Sequence, residues 1–166
     1  KKMPSPPPQP MTIAPKQQTT ADLNAGKTMI TVTGKNFGDD FTKLKLKVGE
    51  VFSEQSSIRM FFMGDDMVEV VGKVPPGAGE NVPVRVVVDG VESVLDQNIT
   101  FSYLAPYVTG VTPVGTAGGE VEISGGNFGP EGTVPYKVTL GGAACASPVT
   151  TENSTIKCTA PSGVGK

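Results

Sequence analysis

MITVTGKNFG at residues 29–38 returns as EVEISGGNFG at 120–129, 91 positions later. In both, apolar residues alternate with polar ones: Ile30 and Val32 in the first, Val121 and Ile123 in the second. A period of two marks a half-buried strand, because successive side chains point to opposite faces. Each strand then runs into Gly-x-Asn-Phe-Gly. Glycine and asparagine tolerate the left-handed backbone of a sharp turn. The stretch therefore predicts a strand ending in a tight turn, with Phe37 and Phe128 as packing plugs.

The repetition continues outward in the same order. KLKVGEVF at 45–52 matches VTLGGAAC at 138–145, and KVPPGAG at 73–79 matches TAPSGVG at 159–165, with offsets of 93 and 86. Such self-similarity signals tandem copies of one unit. Val84, Val86 and Val88 alternate with Arg85 and Val87, Asp89-Gly90 offers a hairpin turn, and Phe101 and Tyr103 share a strand face. The 21 glycines and 15 prolines among 166 residues suit short strands and tight turns. The fold expected is all-β: two tandem immunoglobulin-like β-sandwiches. A proline-rich extended linker is expected at 1–10 and the first sandwich at 11–104, opening with MTIAP at 11–15. The second is expected at 105–166, incomplete and lacking its last two strands. A longer chain or another subunit would then supply them.

The pattern apolar-x-apolar-x-Gly-x-Asn-Phe-Gly, then Val-x-(Val/Leu)-Gly, then Pro-x-Gly-x-Gly, Pro-Val-x-Val and Phe-Ser-Tyr resembles the IPT/TIG domain. The resemblance covers residues 11–104 fully and 106–166 in part. It implies an immunoglobulin-like sandwich of the kind found in receptor ectodomains, microbial surface proteins, some transcription factors and some starch-acting enzymes. One sandwich hosts many roles, so the fold does not by itself name a function.

The resemblance also implies a Cys145–Cys158 disulfide, since the family often carries one at these positions. In the repeat alignment both positions, Phe52 and Gly72, lack cysteine in the first copy, as expected of a bonded pair. Two reduced thiols are the other reading. Asn98-Ile99-Thr100 and Asn153-Ser154-Thr155 are N-glycosylation sequons, and Asn153 lies between the cysteines in an expected loop. Ser5, Pro6, Pro7 and Pro8 resemble the proline-rich segments of plant and algal wall glycoproteins, which implies O-glycosylation; a plain spacer is the alternative. Together these features point to an oxidising, extracellular or cell-surface setting.

Other readings fall to composition. A net charge of −2 does not suit a nucleic-acid face. No run approaches the roughly 18 apolar residues of a membrane span, so no direct membrane insertion is expected. The chain has no histidine and no third cysteine, which leaves no imidazole base and no usual zinc set. No cofactor or metal is expected. Asp39-Asp40 and Asp65-Asp66 would ligate calcium only if their loops converged; exposed turn carboxylates are the alternative. Ala21–Thr28 approximates a phosphate-binding loop but precedes a strand, not a helix, and reads as a turn. Lys43, Lys45 and Lys47 are expected on one solvated strand face.

Met60, Phe61, Phe62 and Met63 form the most apolar local run. Alternation would bury Met60 and Phe62 and expose Phe61 and Met63, or the reverse. An exposed pair would form a partner-binding patch, and core packing is the alternative. The expected function is a non-catalytic extracellular structural or adhesion module, part of a larger cell-surface or fibre-forming protein. It would act through protein–protein contacts with other domains or copies of itself, and with glycans as further partners. The alternatives are a ligand-binding receptor ectodomain and a carbohydrate-binding accessory domain. The absence of tryptophan, with only three tyrosines, weighs against the last.

Overall fold

A computed structural model describes residues 6–17, 28–94, 96, 98–132 and 137–163. The chain divides between Leu104 and Ala105 into two compact units. In the first, β1 (Gln9–Ala14), β2 (Met29–Lys35), β3 (Leu44–Val48), β4 (Val51–Phe52) and β5 (Arg59–Gly64) are followed by β6 (Met67–Lys73), β7 (Val82–Val88), β8 (Val91–Glu92) and β9 (Thr100–Phe101). They form two antiparallel sheets, ordered β1-β2-β6-β5 and β4-β3-β7-β8, with β9 added on β7. Ile30 and Val32 of β2 and Val68 and Val70 of β6 are buried in one core with Leu44, Leu46, Val48, Val84 and Val86 of the facing sheet. Ile58, Ile99 and Phe101 belong to the same core, with Ile13, Phe37, Val74 and Tyr103.

Two hairpins take the turn their strands demand. Asp65-Asp66 has φ of 50° and 60°, and Asp89-Gly90 has 51° and 82°. Left-handed backbone at both central positions gives the twist that joins two right-twisted strands.

The expected solvated lysine face is only partly there. Lys43 ends a short 3-10 turn, Phe41–Lys43, and lies outside the strand. Lys45 is exposed, whereas Lys47 is only 8% exposed. Its ammonium lies 2.8 Å from Glu50 and 3.0 Å from Glu92, and Arg85 reaches the same two carboxylates. The bond to Glu50, and then that to Glu92, hold Lys47 above the usual lysine range. A four-residue charge cluster thus roofs the outer face of β3 and β7.

The second unit holds β10 (Tyr107–Val111), β11 (Gly119–Gly126), β12 (Thr139–Leu140), β13 (Ala143–Ala144), β14 (Ala146–Glu152) and β15 (Thr155–Ala160). Its sheet order, β10-β11-β15-β14, repeats that of β1-β2-β6-β5, and β12-β13 repeats β3-β4. Val121, Ile123, Phe128, Ile156 and Ala160 form its core, with Val138 and Leu140 packed against them. Among its described residues no strand corresponds to β7, β8 or β9.

Register corrects the sequence alignment in two places. Gln9 and Pro10 lie opposite Lys35 and Gly34, and Tyr107 and Val108 opposite Gly126 and Gly125, each pair followed by a bulge. The counterpart of PYVTGVTP at 106–113 is therefore PQPMTIAP at 8–15, with prolines coinciding at both ends. The strand begins at Gln9, not Met11, and Pro8 is buried, so the spacer expected over 1–10 does not extend through Pro8. Pro10 is tolerated because β1 is an edge strand with a bulge at the next residue. The second correction concerns Cys145. Its N–H donates to Val138 O, as Ser53 N–H does to Leu46 O. Cys145 therefore corresponds to Ser53, one residue beyond Phe52.

Candidate functional site

The Gly-x-Asn-Phe-Gly turns have one construction in both repeats. Asn36 and Asn127 adopt φ of 61° and 62°, and Gly38 and Gly129 follow at 73° and 95°. This reversal drives Phe37 and Phe128 into their cores. The strand glycine ahead of each turn is needed for close approach. A Cβ at Gly34 would lie 2.7 Å from the Phe37 ring, and one at Gly125 2.5 Å from that of Phe128. Each asparagine Nδ2 donates to the segment leading into the first strand: Asn36 to Pro7 O at 3.3 Å, Asn127 to Ala105 O at 2.9 Å. The motif is thus a staple between strands. Its hydrogen bonds were invisible in the sequence, although the repetition marked the residues.

The apolar run occupies β5, an edge of its sheet. Met60 and Phe62 lie opposite Val70 and Val68, which face the core; Arg59 and Phe61 lie opposite Val71 and Glu69. Alternation alone would bury Met60 and Phe62 together, and this expectation fails. Met60 packs against the core, but Phe62 is 65% exposed, beside Phe61 at 50% and Met63 at 61%. Phe62 lies toward the hairpin tip and a register shift follows it at Met63, so facing the core side does not cover it. Three large apolar side chains therefore stand in solvent on one hairpin.

Cys145 and Cys158 are bonded, with Cα atoms 5.7 Å apart. Cys158 lies in β15 of the four-stranded sheet, and Cys145 directly follows β13 of the small one. The bond therefore ties the two sheets of the second unit together. Asn153 is exposed in the β14–β15 turn, and its Oδ1 accepts the Gly129 N–H at 3.1 Å. The amide nitrogen, the atom a glycan would take, is the other end of that group. Asn98 is also exposed, and its N–H and Nδ2 both donate to Asp96.

The remaining candidates do not converge. Ser5 and the phosphate-loop-like stretch before Thr28 lie outside the described residues; Pro6 and Pro7 are exposed. A cavity of about 580 Å³ is lined by Pro6, Pro8, Asn36, Asp39, Asp40 and Asp89 among others. The Asp40 carboxylate caps the 3-10 turn, and bonds from the Thr42 hydroxyl and then its N–H hold it below the usual carboxylate range. Among the described residues no three histidine, cysteine, aspartate or glutamate side chains are grouped to hold a metal ion. Nor is any helix there long and apolar enough to cross a membrane.

No curated protein matches the chain. Two solved structures resemble it at 17% identity and a TM-score of 0.42. One is a structural genomics protein of unknown function from Bacteroides thetaiotaomicron VPI-5482, over 95% of this chain and 39% of that one. The other is an auxiliary nutrient binding protein from Bacteroides ovatus ATCC 8483, over 92% and 38%. The chain thus spans about two fifths of the length of each. The family model described as IPT/TIG domain matches twice, over residues 12–103 and 106–166. With both matches in register with the two units, and the Asn-Phe staple built alike in each, the chain belongs to the IPT/TIG domain family.

Proposed function

We propose that this chain is a non-catalytic structural or adhesion module of a larger extracellular or cell-surface protein, acting through contacts with other protein domains or copies of itself. Domains of this family are immunoglobulin-like modules used in protein–protein contacts. The observation that carries the reading is the β5–β6 hairpin, where Phe61, Phe62 and Met63 stand exposed together. Exposed large apolar side chains in a cluster mark contact surfaces. The bonded cysteines and the exposed sequons at Asn98 and Asn153 support an oxidising compartment. The test is antibody labelling of intact, unpermeabilised cells, combined with cross-linking and mass spectrometry of native material. Surface labelling and intermolecular cross-links to polypeptide are expected. Labelling only after permeabilisation would overturn the reading.

A further inference from the structure

We infer that β5 pairs edge to edge, antiparallel, with β5 of a second copy of this chain, so that two four-stranded sheets become one. The inference rests on the contact-forming role proposed above and names its surface and its partner. An edge strand presents unpaired N–H and C=O groups, and folded proteins usually blunt such edges with proline, lysine, bulges or brevity. Most edges here are blunted in that way. β1 carries Pro10 and a bulge, and β14 carries Pro148 and two register shifts. β4 and β8 have two residues each. β10 also exposes Tyr107, Val108 and Val111, but its bulge falls mid-strand and leaves two paired residues on either side. β5 also has a register shift, at Met63 near the hairpin tip, but Arg59 to Phe62 before it run in unbroken register, four paired residues with no proline or lysine, and residues 60–63 are all apolar.

Charge selects the occupant. The strand has a cation at its start, Arg59, and two carboxylates just past its end, Asp65 and Asp66. Arg59 donates to the carbonyls of Ser56 and Ile58, and among the described residues it has no carboxylate partner. Antiparallel pairing about Phe62 sets the Phe62 side chains of the two copies together and brings Arg59 of each copy towards the Asp65-Asp66 turn of the other. Parallel pairing would place like charges together, which is unfavourable across strands. The segment is therefore complementary to itself in one orientation only.

Sedimentation of the 166-residue chain tests this. The chain is expected to dimerise. Phe62→Lys should weaken the dimer by roughly thirty-fold or more, the effect of losing a central interface residue. At a concentration where both chains are monomeric, its unfolding midpoint should match that of the parent, since Phe62 is largely in solvent. Arg59→Glu and Asp65→Lys should each be monomeric, because each opposes like charges twice. Mixed, the two should form a heterodimer, since each then supplies the charge the other lacks. A chain that stays monomeric to about 1 mM, a concentration at which even weak association shows, would sink the pairing. So would a dimer indifferent to Phe62→Lys. Monomers whose hairpin still cross-links to a different protein would leave the contact-forming role standing and the self-pairing refuted. A Phe62-dependent dimer found only inside cells would leave the self-pairing standing and refute the extracellular placement.

Discussion

Leu46 fills the space above Gly72: a Cβ placed on Gly72 would lie 2.9 Å from Leu46 Cδ2. Gly72 lies opposite Ile30 as Cys158 lies opposite Val121, and Ser53 stands where Cys145 does. The first repeat thus joins its sheets by a leucine side chain at the place where the second uses a covalent bond. The residue matching Leu46 in the second repeat is Val138, which is shorter. Overpacking a filled core costs about 1–3 kcal/mol, so Gly72→Ala should lower stability by that amount in urea titration. Leu46→Val should recover part of the loss when combined with it. Ser53→Ala should be tolerated, since the buried Ser53 hydroxyl has no partner among the described residues.

Removing the disulfide should act on one unit alone. The two cysteines are 13 residues apart, and a bond closing a loop of this size is worth about 2–4 kcal/mol. The Cys145→Ser/Cys158→Ser variant should lose amide-exchange protection across β10–β15. Protection across β1–β9 should be unchanged. Uniform loss across both units would show coupling that separate cores do not provide.

The two stapling asparagines separate backbone strain from hydrogen bonding. At φ near 60° a residue with a plain Cβ is strained by roughly 1–2 kcal/mol, and a lost hydrogen bond costs about 1 more. Asn36→Ala should therefore destabilise the first unit by about 2–3 kcal/mol, a sum of those two costs. Asn36→Gly should forfeit only the bond to Pro7. The same ordering is expected at Asn127, read by thermal unfolding of each variant.

Alkaline pH should weaken the first unit through Tyr103. Burial pushes its hydroxyl up to about 12, and that hydroxyl donates to Pro75 O at 3.0 Å. The unfolded chain ionises its tyrosine near 10, so the stability held below pH 10 drains as pH rises towards 12. The loss should amount to no more than about 2 kcal/mol. Tyr103→Phe should be less stable at pH 8, for want of the hydrogen bond, yet should show a flatter decline from pH 10 to 12 in urea midpoints.

Much of the fold was legible because periodicity and repetition are local signals. Ile30, Val32, Val121 and Ile123 alternate in the chain and are buried in the structure. Less legible was anything set by pairing across strands. The opening strand of the first repeat starts earlier than the sequence suggests because Pro10 reads as a breaker, and only its edge position shows why it is tolerated. The exposure of Phe62 depends on its place near the hairpin tip, which alternation cannot express. Lys47 reads as a surface charge until Arg85 and Glu92, distant in sequence, close over it together with the neighbouring Glu50. The match of Cys145 to Ser53 likewise rests on one hydrogen bond to the neighbouring strand.

The cross-sheet bond of the second unit has a mechanical side. Pulled from its ends, a repeat lengthens as its folded contour is released, by up to about 3.5 Å per residue. The 12 residues between Cys145 and Cys158 would be withheld from that release, roughly 40 Å of slack that force alone could not draw out. The first repeat has no such restraint and would give way along its whole length. Two units of one lineage would then answer tension differently, one yielding in full and the other stopping short.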